Sequence, residues 1–295
     1  MPEGYTAFTV QECNDDAAQY ITTVAKILDM KQTQFQKVVI GENKWWGRTM
    51  WVDDVLNVTE RDEFIYHELL VHVPVMIHPN PTRVLIIGGG DGGSARELLK
   101  HPNLTNATMI DIDEELCRMC EKHMPKLSNG AFTDPNLNLI FGDGIDFVKK
   151  AEDNSFDVII VDSTDPLPDS VGEVLFTKEF YEHCYRVLSP NGTISTQALM
   201  PMRYDPDIYR RALTNIQHAF GKDNLYVYFA PTDSYSGCTS FCLGFKGDSH
   251  PTKIDKPRIK EFTKEAKLRY YNYGMHKGSF RLPGYVREML YPKAE

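Results

Sequence analysis

The sequence predicts an α/β protein in which a small N-terminal antiparallel β-domain, residues 1–78, precedes a Rossmann-like domain with a doubly wound sheet, residues 79–295. Three observations support this prediction. Short β-rich segments separated by turn residues fill positions 20–59, whereas from residue 84 onwards such segments alternate with amphipathic helical patterns. A glycine-rich turn follows the first of these later segments. Buried strands that alternate with helices are typical of a parallel sheet covered by helices on both faces.

The N-terminal domain is predicted to contain four strands and a closing helix. Turn-type residues separate the β-rich segments, as in a small antiparallel sheet. A helix is predicted over residues 60–77, because apolar residues recur there at helical spacing. The sequence His-Pro-Asn-Pro at 78–81 then interrupts regular structure and marks the predicted domain boundary. The predicted strands are residues 21–28, 35–41, 48–52 and 55–59.

The second domain is predicted to contain seven strands, the last two of which form a hairpin. This number suits the sheet of nucleoside-binding methyltransferases. From residue 256 onwards the tail is predicted to be helical and then irregular. The predicted strands are residues 84–87, 107–112, 137–141, 156–161, 193–196, 225–229 and 240–245. The predicted helices among them are residues 95–101, 114–123, 178–188 and 207–220.

The bulk composition argues against several classes of protein. The formal net charge of −9 argues against a nucleic-acid-binding surface. No apolar run approaches the roughly 20 residues that a membrane-spanning helix needs, so no membrane association is expected. The N-terminus contains no apolar stretch typical of a signal peptide. Six scattered cysteines suit a reducing compartment, and we therefore expect a cytoplasmic protein.

No metal or cofactor is predicted. The nine histidines show no spacing typical of zinc ligands. His67 is expected to make a structural hydrogen bond, with proton transfer as the alternative role. Cys117 and Cys120 form a C-x-x-C pair, but they lie within a helical pattern and lack a second pair at zinc-ribbon spacing. We therefore expect these two cysteines to pack inside the protein.

A nucleoside site is predicted at the turn that follows residues 84–87. The segment 88–93 reads Gly-Gly-Gly-Asp-Gly-Gly and leads from a strand into a helix expected to begin at Ser94. Strand, glycine turn and helix in this order are typical of nucleotide-binding turns. Glycines such as Gly88 and Gly90 let the backbone approach a ligand closely, because they lack a Cβ atom.

Acidic residues follow three successive predicted strands. Asp111 closes the strand after the glycine turn, twenty residues beyond Asp91, where an acid usually binds ribose hydroxyls. Asp143 ends the next strand and is placed to meet an adenine amino group. Each acid taken alone could be an ordinary helix cap or turn residue. Three acids at successive strand ends favour a ligand site, because ligands of open α/β sheets bind at the carboxyl ends of the strands.

Asp91 separates this turn from those that bind dinucleotides or methyl donors. A carboxylate inside a glycine turn would repel a pyrophosphate, and it would also repel the carboxylate of intact S-adenosylmethionine. It would attract a ligand whose chain ends in a bare ammonium. Decarboxylated S-adenosylmethionine has such a chain.

A second acidic pair, Asp162 and Asp165, follows the strand at 156–161. Alkylation of an amine needs a neutral nitrogen, whereas amines with a pKa near 10 are protonated at pH 7. A carboxylate can hold the cation and then accept its proton as the nitrogen attacks. A sulfonium carries its own leaving group, so the reaction needs no metal and depends largely on positioning and deprotonation. The alternative is that Asp165, before Pro166, only caps a turn.

Taken together, these segments resemble the spermidine synthase family over nearly the whole chain. No single motif is specific, but their combination is. The matching segments are residues 59–68 (Thr-Glu-Arg-Asp-Glu-Phe-Ile-Tyr-His-Glu), 83–93, 96–97, 142–144 (Gly-Asp-Gly), 162–166 (Asp-Ser-Thr-Asp-Pro), 269–272 and 280–283.

The resemblance implies an aminopropyltransferase that uses decarboxylated S-adenosylmethionine as a co-substrate. By this resemblance Asp162 is the proton acceptor, Asp165 holds the amine, and Tyr66 orients the attacking nitrogen. Gln197 and Tyr235 are expected to line the amine site.

The resemblance also assigns residues to the donor. Asp91 is expected to hold the aminopropyl ammonium, Asp111 the ribose and Asp143 the adenine. Gln36 matches a family position that lines the donor site. The family further implies assembly into homodimers or homotetramers.

Departures from the family pattern cluster around the acceptor amine. Residues 167–172 read Leu-Pro-Asp-Ser-Val-Gly where spermidine synthases usually have Gly-Pro-Ala, and residues 198–199 read Ala-Leu where Gly-Glu is common. In residues 231–237 the alignment leaves open whether Tyr235 or Asp233 faces the acceptor. We expect putrescine as the acceptor, with agmatine, cadaverine or spermidine as alternatives.

Two other classes of protein would share this fold. An S-adenosylmethionine methyltransferase would share the fold, but Asp91 argues against it. A non-catalytic binding or regulatory paralogue would also keep the fold, but the presence of both Asp162 and Asp165 argues against that.

Overall fold

The computed structural model describes residues 8–14, 18–165, 170–198, 206–247 and 249–290. The departures from the family pattern at 167–169 and 199 therefore lie outside the described residues. None of the described helices is long and apolar enough to cross a membrane.

The N-terminal strands form two antiparallel sheets. They are β1 Phe8–Asn14, β2 Ala18–Val24, β3 Lys26–Gln32, β4 Lys37–Asn43, β5 Gly47–Val52 and β6 Val55–Thr59. β1 pairs with β2, and the second sheet has the order β3-β4-β5-β6. The single strand predicted at 21–28 is wrong, because the chain changes partner at Ala25: β2 pairs with β1, whereas β3 pairs with β4.

Helix α1, Glu63–Ile77, joins the two parts of the chain and is buried on almost every side. It begins three residues later than predicted, because the preceding residues form a turn around Asp62. The Asp62 carboxylate accepts hydrogen bonds from Thr59 Oγ1 at 2.6 Å and from Ser234 N at 2.8 Å. The apolar side chains of α1, such as Leu69, Leu70 and Val73, are covered by the large sheet and by the C-terminal tail.

The large sheet has seven strands in the order β12-β13-β11-β10-β7-β8-β9. The first five strands along the chain pair in parallel, and β13 runs antiparallel to both β11 and β12. This confirms the predicted fold class, including the terminal hairpin. The strands are β7 Arg83–Gly88, β8 Asn106–Asp111, β9 Leu137–Phe141, β10 Phe156–Asp162, β11 Leu188–Gln197, β12 Leu225–Thr232 and β13 Gly237–Phe245.

Helices cover both faces of this sheet. They are α2 Gly93–Leu98, α3 Glu114–His123, α4 Pro125–Ser128, α5 Gly144–Lys150, α6 Lys178–Val187, α7 Pro206–Phe220, α8 Lys256–Glu265, α9 Tyr273–Ser279 and α10 Gly284–Leu290. Side chains along a strand point alternately to opposite faces. Val84 and Ile86 of β7 therefore pack toward α1, α2 and α8, whereas Leu85 and Ile87 pack toward α5, α6 and α7.

The N-terminal strands pack against α3. Val38 and Ile40 of β4 and Met50 of β5 share one buried cluster with Leu116 and Met119 of α3. This packing places β5, through Met50 and Val52, beside the carboxyl ends of β8 and β9, where the ligand site is expected.

The C-terminal tail is anchored on α1 through one buried carboxylate. Glu68 Oε1 accepts a hydrogen bond from the backbone of Arg269, and Oε2 accepts from those of Tyr270 and Tyr271, at 2.7–2.9 Å. The region predicted to be irregular instead contains α9 and α10. Helix α9 begins where Asn272 Oδ1 accepts from Gly274 N and Met275 N, a cap that a short helix can use without a long apolar pattern.

Candidate active site

A cleft of about 240 Å³ opens at the carboxyl ends of β7, β8, β9 and β10, beneath the N-terminal strands. Its polar lining comes from both parts of the chain, and the structure brings all the site residues predicted from the sequence together around this one cleft. They are Gln36, Tyr66, Gly88, Gly90, Asp91, Asp111, Asp143, Asp162, Asp165, Gln197 and Tyr235.

The glycine turn brings the end of β7 against the end of β10. Gly88 and Gly89 both have a φ of 82°, a left-handed conformation that favours glycine. Gly89 N donates a hydrogen bond to the backbone oxygen of Asp162 at 2.7 Å. A Cβ on Gly90 would lie 3.0 Å from Asp111 Oδ2, so glycine there leaves room for the carboxylate. The turn therefore holds the acids at 111 and 162 close to its own backbone.

Asp91, in the same turn, faces a buried histidine. Its Oδ1 accepts from Gly93 N at 2.7 Å and lies 3.4 Å from His67 Nε2, while His67 Nδ1 lies 2.7 Å from Glu63 Oε2. Burial alone would lower the pKa of His67, but the charges of Asp91 and Glu63 raise it well above its ordinary value. His67 is therefore favoured as an imidazolium between two carboxylates. Burial alone would raise the pKa of Asp91, but the charge and hydrogen bond of His67 outweigh this effect, so the pKa of Asp91 is lowered.

Further ion pairs continue from this histidine along α1 and α2. Arg96 binds Glu63 at 2.8 Å and Glu97 at 2.8 Å, and His72 Nε2 lies 2.9 Å from Glu97. This network was not predicted from the sequence. The four-residue spacing between Glu63 and His67 was the available signal, because residues four apart meet on one helix face.

The nucleoside end of the cleft contains Asp111 and Asp143. Asp111 Oδ1 accepts from Asp113 N at 2.8 Å, and burial raises the pKa of Asp111 to about 7. Asp143 caps α5, accepting from Ile145 N at 2.7 Å and from Asp146 N at 3.3 Å. The cap fixes the Asp143 side chain at the edge of the cleft. Apolar side chains complete this end and suit a flat ring; they are Ile110, Ile112, Leu116 and Ile145.

Gln36 reaches this end of the cleft from the turn between β3 and β4. Its Nε2 donates to Asp113 Oδ2 at 3.1 Å, and Thr33 Oγ1 donates to the same oxygen at 2.7 Å. Asp113 was not singled out from the sequence, because an acid at the start of a helix is usually only a cap.

Asp162 is held by two hydroxyl groups. Tyr66 Oη donates to Asp162 Oδ1 at 2.8 Å, and Ser94 Oγ donates to Oδ2 at 2.6 Å. Burial raises the pKa of Asp162, although the charge of His67 and these hydroxyl groups act in the opposite direction. Burial and the charge of Asp162 raise the pKa of Tyr66 well above its ordinary value, so Tyr66 stays a neutral donor. The role of Ser94 was missed, because its contact depends on the pairing of β7 with β10.

The remaining predicted residues line the mouth beside Asp162. Gln197 Nε2 donates to Asp165 Oδ1 at 2.8 Å and to the Ser163 backbone oxygen at 3.2 Å. The ring of Tyr235 meets that of Tyr66 edge-on, with centroids 6.4 Å apart, and its hydroxyl donates to the Asn57 backbone oxygen.

The two candidate residues in 231–237 differ in position. Tyr235 lines the cleft, whereas Asp233 is exposed and does not belong to the lining.

Among the described residues, no group of three or more His, Cys, Asp or Glu side chains is arranged to hold a metal ion. Cys117 and Cys120 are both buried, and neither forms a disulfide bond. Cys117 lies in the core beneath the sheet, and Cys120 packs against Met50. This is the packing role expected of the C-x-x-C pair.

The cleft therefore joins three environments. An apolar end lined by Asp111 and Asp143 suits a nucleoside, the carboxylate in the glycine turn suits a cationic chain, and Asp162 with Asp165 suits a second, amine-bearing ligand.

Comparisons with known proteins agree with this arrangement. The profile described as the spermine/spermidine synthase domain matches residues 63–252. The polyamine aminopropyltransferase of Ruegeria sp. (strain TM1040) is 41% identical over 290 residues, which cover 96% of this chain and 98% of that protein. The polyamine aminopropyltransferase of Caldicellulosiruptor saccharolyticus is 39% identical and covers 98% of this chain and 100% of its own length.

Solved structures are also similar. A crystal structure of spermidine synthase in complex with the transition state analogue AdoDATO superposes with a TM-score of 0.89 at 36% identity, covering 96% of this chain and 94% of that one. The crystal structure of spermidine synthase from Thermotoga maritima gives a TM-score of 0.87 at 36% identity. With this extent of sequence and structural similarity, the chain belongs to the spermine/spermidine synthase family of polyamine aminopropyltransferases and is a transferase.

Proposed function

We propose that this enzyme transfers the aminopropyl group of decarboxylated S-adenosylmethionine to putrescine, giving spermidine and methylthioadenosine. The observation that carries the proposal is the buried Asp91 inside the glycine turn, close enough to Asp162 that its charge contributes to the raised pKa of that carboxyl group. One carboxylate is thus available for the cationic end of the donor and the other for the attacking amine.

The donor is proposed to bind along the glycine turn. Asp91 holds the aminopropyl ammonium, Asp111 accepts hydrogen bonds from the ribose hydroxyls, and Asp143 accepts one from the adenine amino group. Gln36 lines the same end. Burial raises the pKa of Asp111 to about 7, and hydrogen bonds from ribose hydroxyl groups would stabilise its ionised form.

The acceptor is proposed to bind between Tyr66, Asp165, Gln197 and Tyr235. Its nitrogen arrives protonated, and Asp162 takes that proton. The neutral nitrogen then attacks the carbon next to sulfur from the side opposite the sulfonium. A C–N bond forms, the C–S bond breaks, and its electron pair neutralises the sulfonium to a thioether.

The hydrogen bonds from Tyr66 and Ser94 orient the carboxylate of Asp162 for this proton transfer. They fix both carboxylate oxygens before the amine arrives, so that little reorganisation is needed when the proton moves. The raised pKa of Asp162 brings it closer to that of an amine and improves it as a base. No metal or cofactor is required, because the sulfonium is already activated.

We also propose a homodimer or homotetramer in the cytoplasm. Exposed apolar side chains in the N-terminal part of the chain support assembly through that region; they are Ile21 and Met30 on strands and Trp45 in the turn between β4 and β5. Light scattering on the purified protein would then give two or four times the mass of one chain, and the mass of a single chain would refute assembly. Recovery in a membrane or secreted fraction would refute the proposed location.

The test of the reaction is incubation of the purified enzyme with decarboxylated S-adenosylmethionine and, separately, putrescine, agmatine, cadaverine and spermidine, followed by product masses. We expect putrescine to give the highest kcat/KM, with one methylthioadenosine formed per spermidine. A higher kcat/KM for another amine would refute putrescine as the acceptor, but it would not affect the identity of the donor. Methyl transfer from intact S-adenosylmethionine, or no turnover with any amine, would overturn the reaction itself.

A further inference from the structure

Asp113 links the two parts of the chain at the nucleoside end of the cleft. It lies just beyond β8 and is only 1% exposed. Its two carboxylate oxygens accept hydrogen bonds from different parts of the chain. Oδ1 accepts from Leu116 N at 3.0 Å and caps α3. Oδ2 accepts from Thr33 Oγ1 at 2.7 Å and from Gln36 Nε2 at 3.1 Å, both of which come from the N-terminal sheet.

This arrangement determines which way the Gln36 amide points. An ionised carboxylate only accepts hydrogen bonds, so the NH₂ group of Gln36 must face Asp113. The carbonyl Oε1 then points away from Asp113, and Gln36 lines the cleft. The backbone N–H of Asp113 is meanwhile bound to Asp111 Oδ1 at 2.8 Å, which places the two acids and the amide in one contiguous group.

We propose that Asp113 is a positioning residue that orients the Gln36 amide so that its carbonyl oxygen accepts a hydrogen bond from the ribose diol of the donor. The proposal rests on the nucleoside binding described under the proposed function. A ribose diol offers two O–H donors, and the site then offers two acceptors, Asp111 and the Gln36 carbonyl. If the Gln36 amide were reversed, it would present its NH₂ group, instead of its carbonyl oxygen, to the ribose diol.

The substitution Asp113→Asn reverses this polarity while keeping the cap. Leu116 N still requires an acceptor, so the new side chain keeps its carbonyl there and places its NH₂ where Oδ2 was. Gln36 must then turn its carbonyl toward residue 113 and its NH₂ into the cleft. Gln36→Glu in the Asp113→Asn background restores an acceptor on both sides and conserves the net charge of the pair.

The experiment is a double-mutant cycle measured by calorimetry with methylthioadenosine and by steady-state kinetics. We expect each single variant to weaken nucleoside binding about 10-fold or more, and the double variant to return to within about 3-fold of the wild type. The donor KM should rise in the singles, while kcat and the amine KM change less than about 3-fold. A purely structural role for Asp113 would not be rescued by a substitution at Gln36.

Two results would overturn the inference. One is unchanged binding in Asp113→Asn; the other is a double variant as weak as the two single effects combined. Gln36→Glu alone is a further test that needs no substitution at residue 113. It places a second carboxylate opposite Asp113, and the repulsion between the two should weaken nucleoside binding. Failure of the wild-type enzyme to bind methylthioadenosine would instead refute the proposed function, so the two failures are distinguishable.

Discussion

His67 Nε2 lies 3.4 Å from Asp91 Oδ1, and both side chains are at most 10% exposed. The carboxylate that is expected to hold the ammonium of the donor thus already faces a histidine whose pKa is raised well above its ordinary value. A cationic ligand that reaches Asp91 must share this carboxylate with the imidazolium. Binding of the donor should therefore be linked to the charge of His67.

The first prediction is that the donor releases a proton when it binds. The ammonium adds a second positive charge beside Asp91, which lowers the pKa of His67 in the complex. Donor affinity should therefore rise as the pH increases toward the raised pKa of His67 in the free enzyme, and level off above it. Calorimetry in buffers of different ionisation enthalpy measures the release directly. Methylthioadenosine lacks the ammonium, so the release linked to His67 is the excess of the donor over methylthioadenosine, and this excess should vanish in His67→Gln. A binding heat independent of the buffer would contradict the linkage.

The second prediction concerns Asp162. Asp162→Asn removes the proton acceptor but keeps groups that can pair with Tyr66 and Ser94. Turnover should fall by about 10² or more, as is typical for the loss of a general base, while the dissociation constant of methylthioadenosine changes less than about 3-fold. In the wild type, kcat should fall as the pH drops through the raised pKa of Asp162, because the protonated form cannot accept the proton. Near-normal turnover of the variant would exclude Asp162 as the base.

The third prediction tests the packing of the glycine turn against the histidine. A Cβ on Gly93 would overlap the imidazole ring of His67, so Gly93→Ala should displace the ring and destabilise the protein by about 1–3 kcal/mol. Gly142→Ala is the matched control, because its Cβ would lie 3.8 Å from Ile110 Cδ1, an ordinary contact. Denaturant unfolding compares the two variants. Equal stability would show that the His67 ring is not held where the structure places it.

The fold could be predicted largely from local patterns. The predicted bounds of β6, β9 and α3 match the structure, because turn residues or a capping acid delimit each one. The change of sheet at Ala25 could not be predicted, since both halves of that apolar segment read as one strand and only their different partners separate them. The helix predicted from residue 256 is present as α8, but α9 and α10 were missed, because α9 depends on a local Asn272 cap and on the anchoring by Glu68.

The candidate site was predictable where a residue follows a strand. Asp91, Asp111 and Asp162 could be placed at one edge, because the carboxyl ends of parallel strands share that edge. The supporting residues were not predictable. Ser94 meets Asp162 only because β7 and β10 are neighbours, and Asp113 meets Gln36 only because the N-terminal sheet covers α3.

The fourth prediction concerns the anchor of the C-terminal tail. Glu68→Gln replaces one acceptor oxygen by an NH₂ group that must face a backbone N–H of residues 269–271. We expect a loss of about 1.5–3 kcal/mol in the free energy of unfolding and faster proteolysis within residues 269–290. The exposed Glu261, on α8, supplies the control, and Glu261→Gln should change neither quantity. Unchanged stability and cleavage in Glu68→Gln would show that the three hydrogen bonds do not hold the tail.

The charge inside the nucleotide turn is tested most directly by the dissociation constants of decarboxylated and intact S-adenosylmethionine, measured side by side on the wild type and on Asp91→Asn. Opposite and like charges near a buried carboxylate differ by several kcal/mol, so the wild type should bind the decarboxylated form at least about 100-fold more tightly. Asp91→Asn should lose most of this preference. Equal or tighter binding of intact S-adenosylmethionine by the wild type would contradict the account.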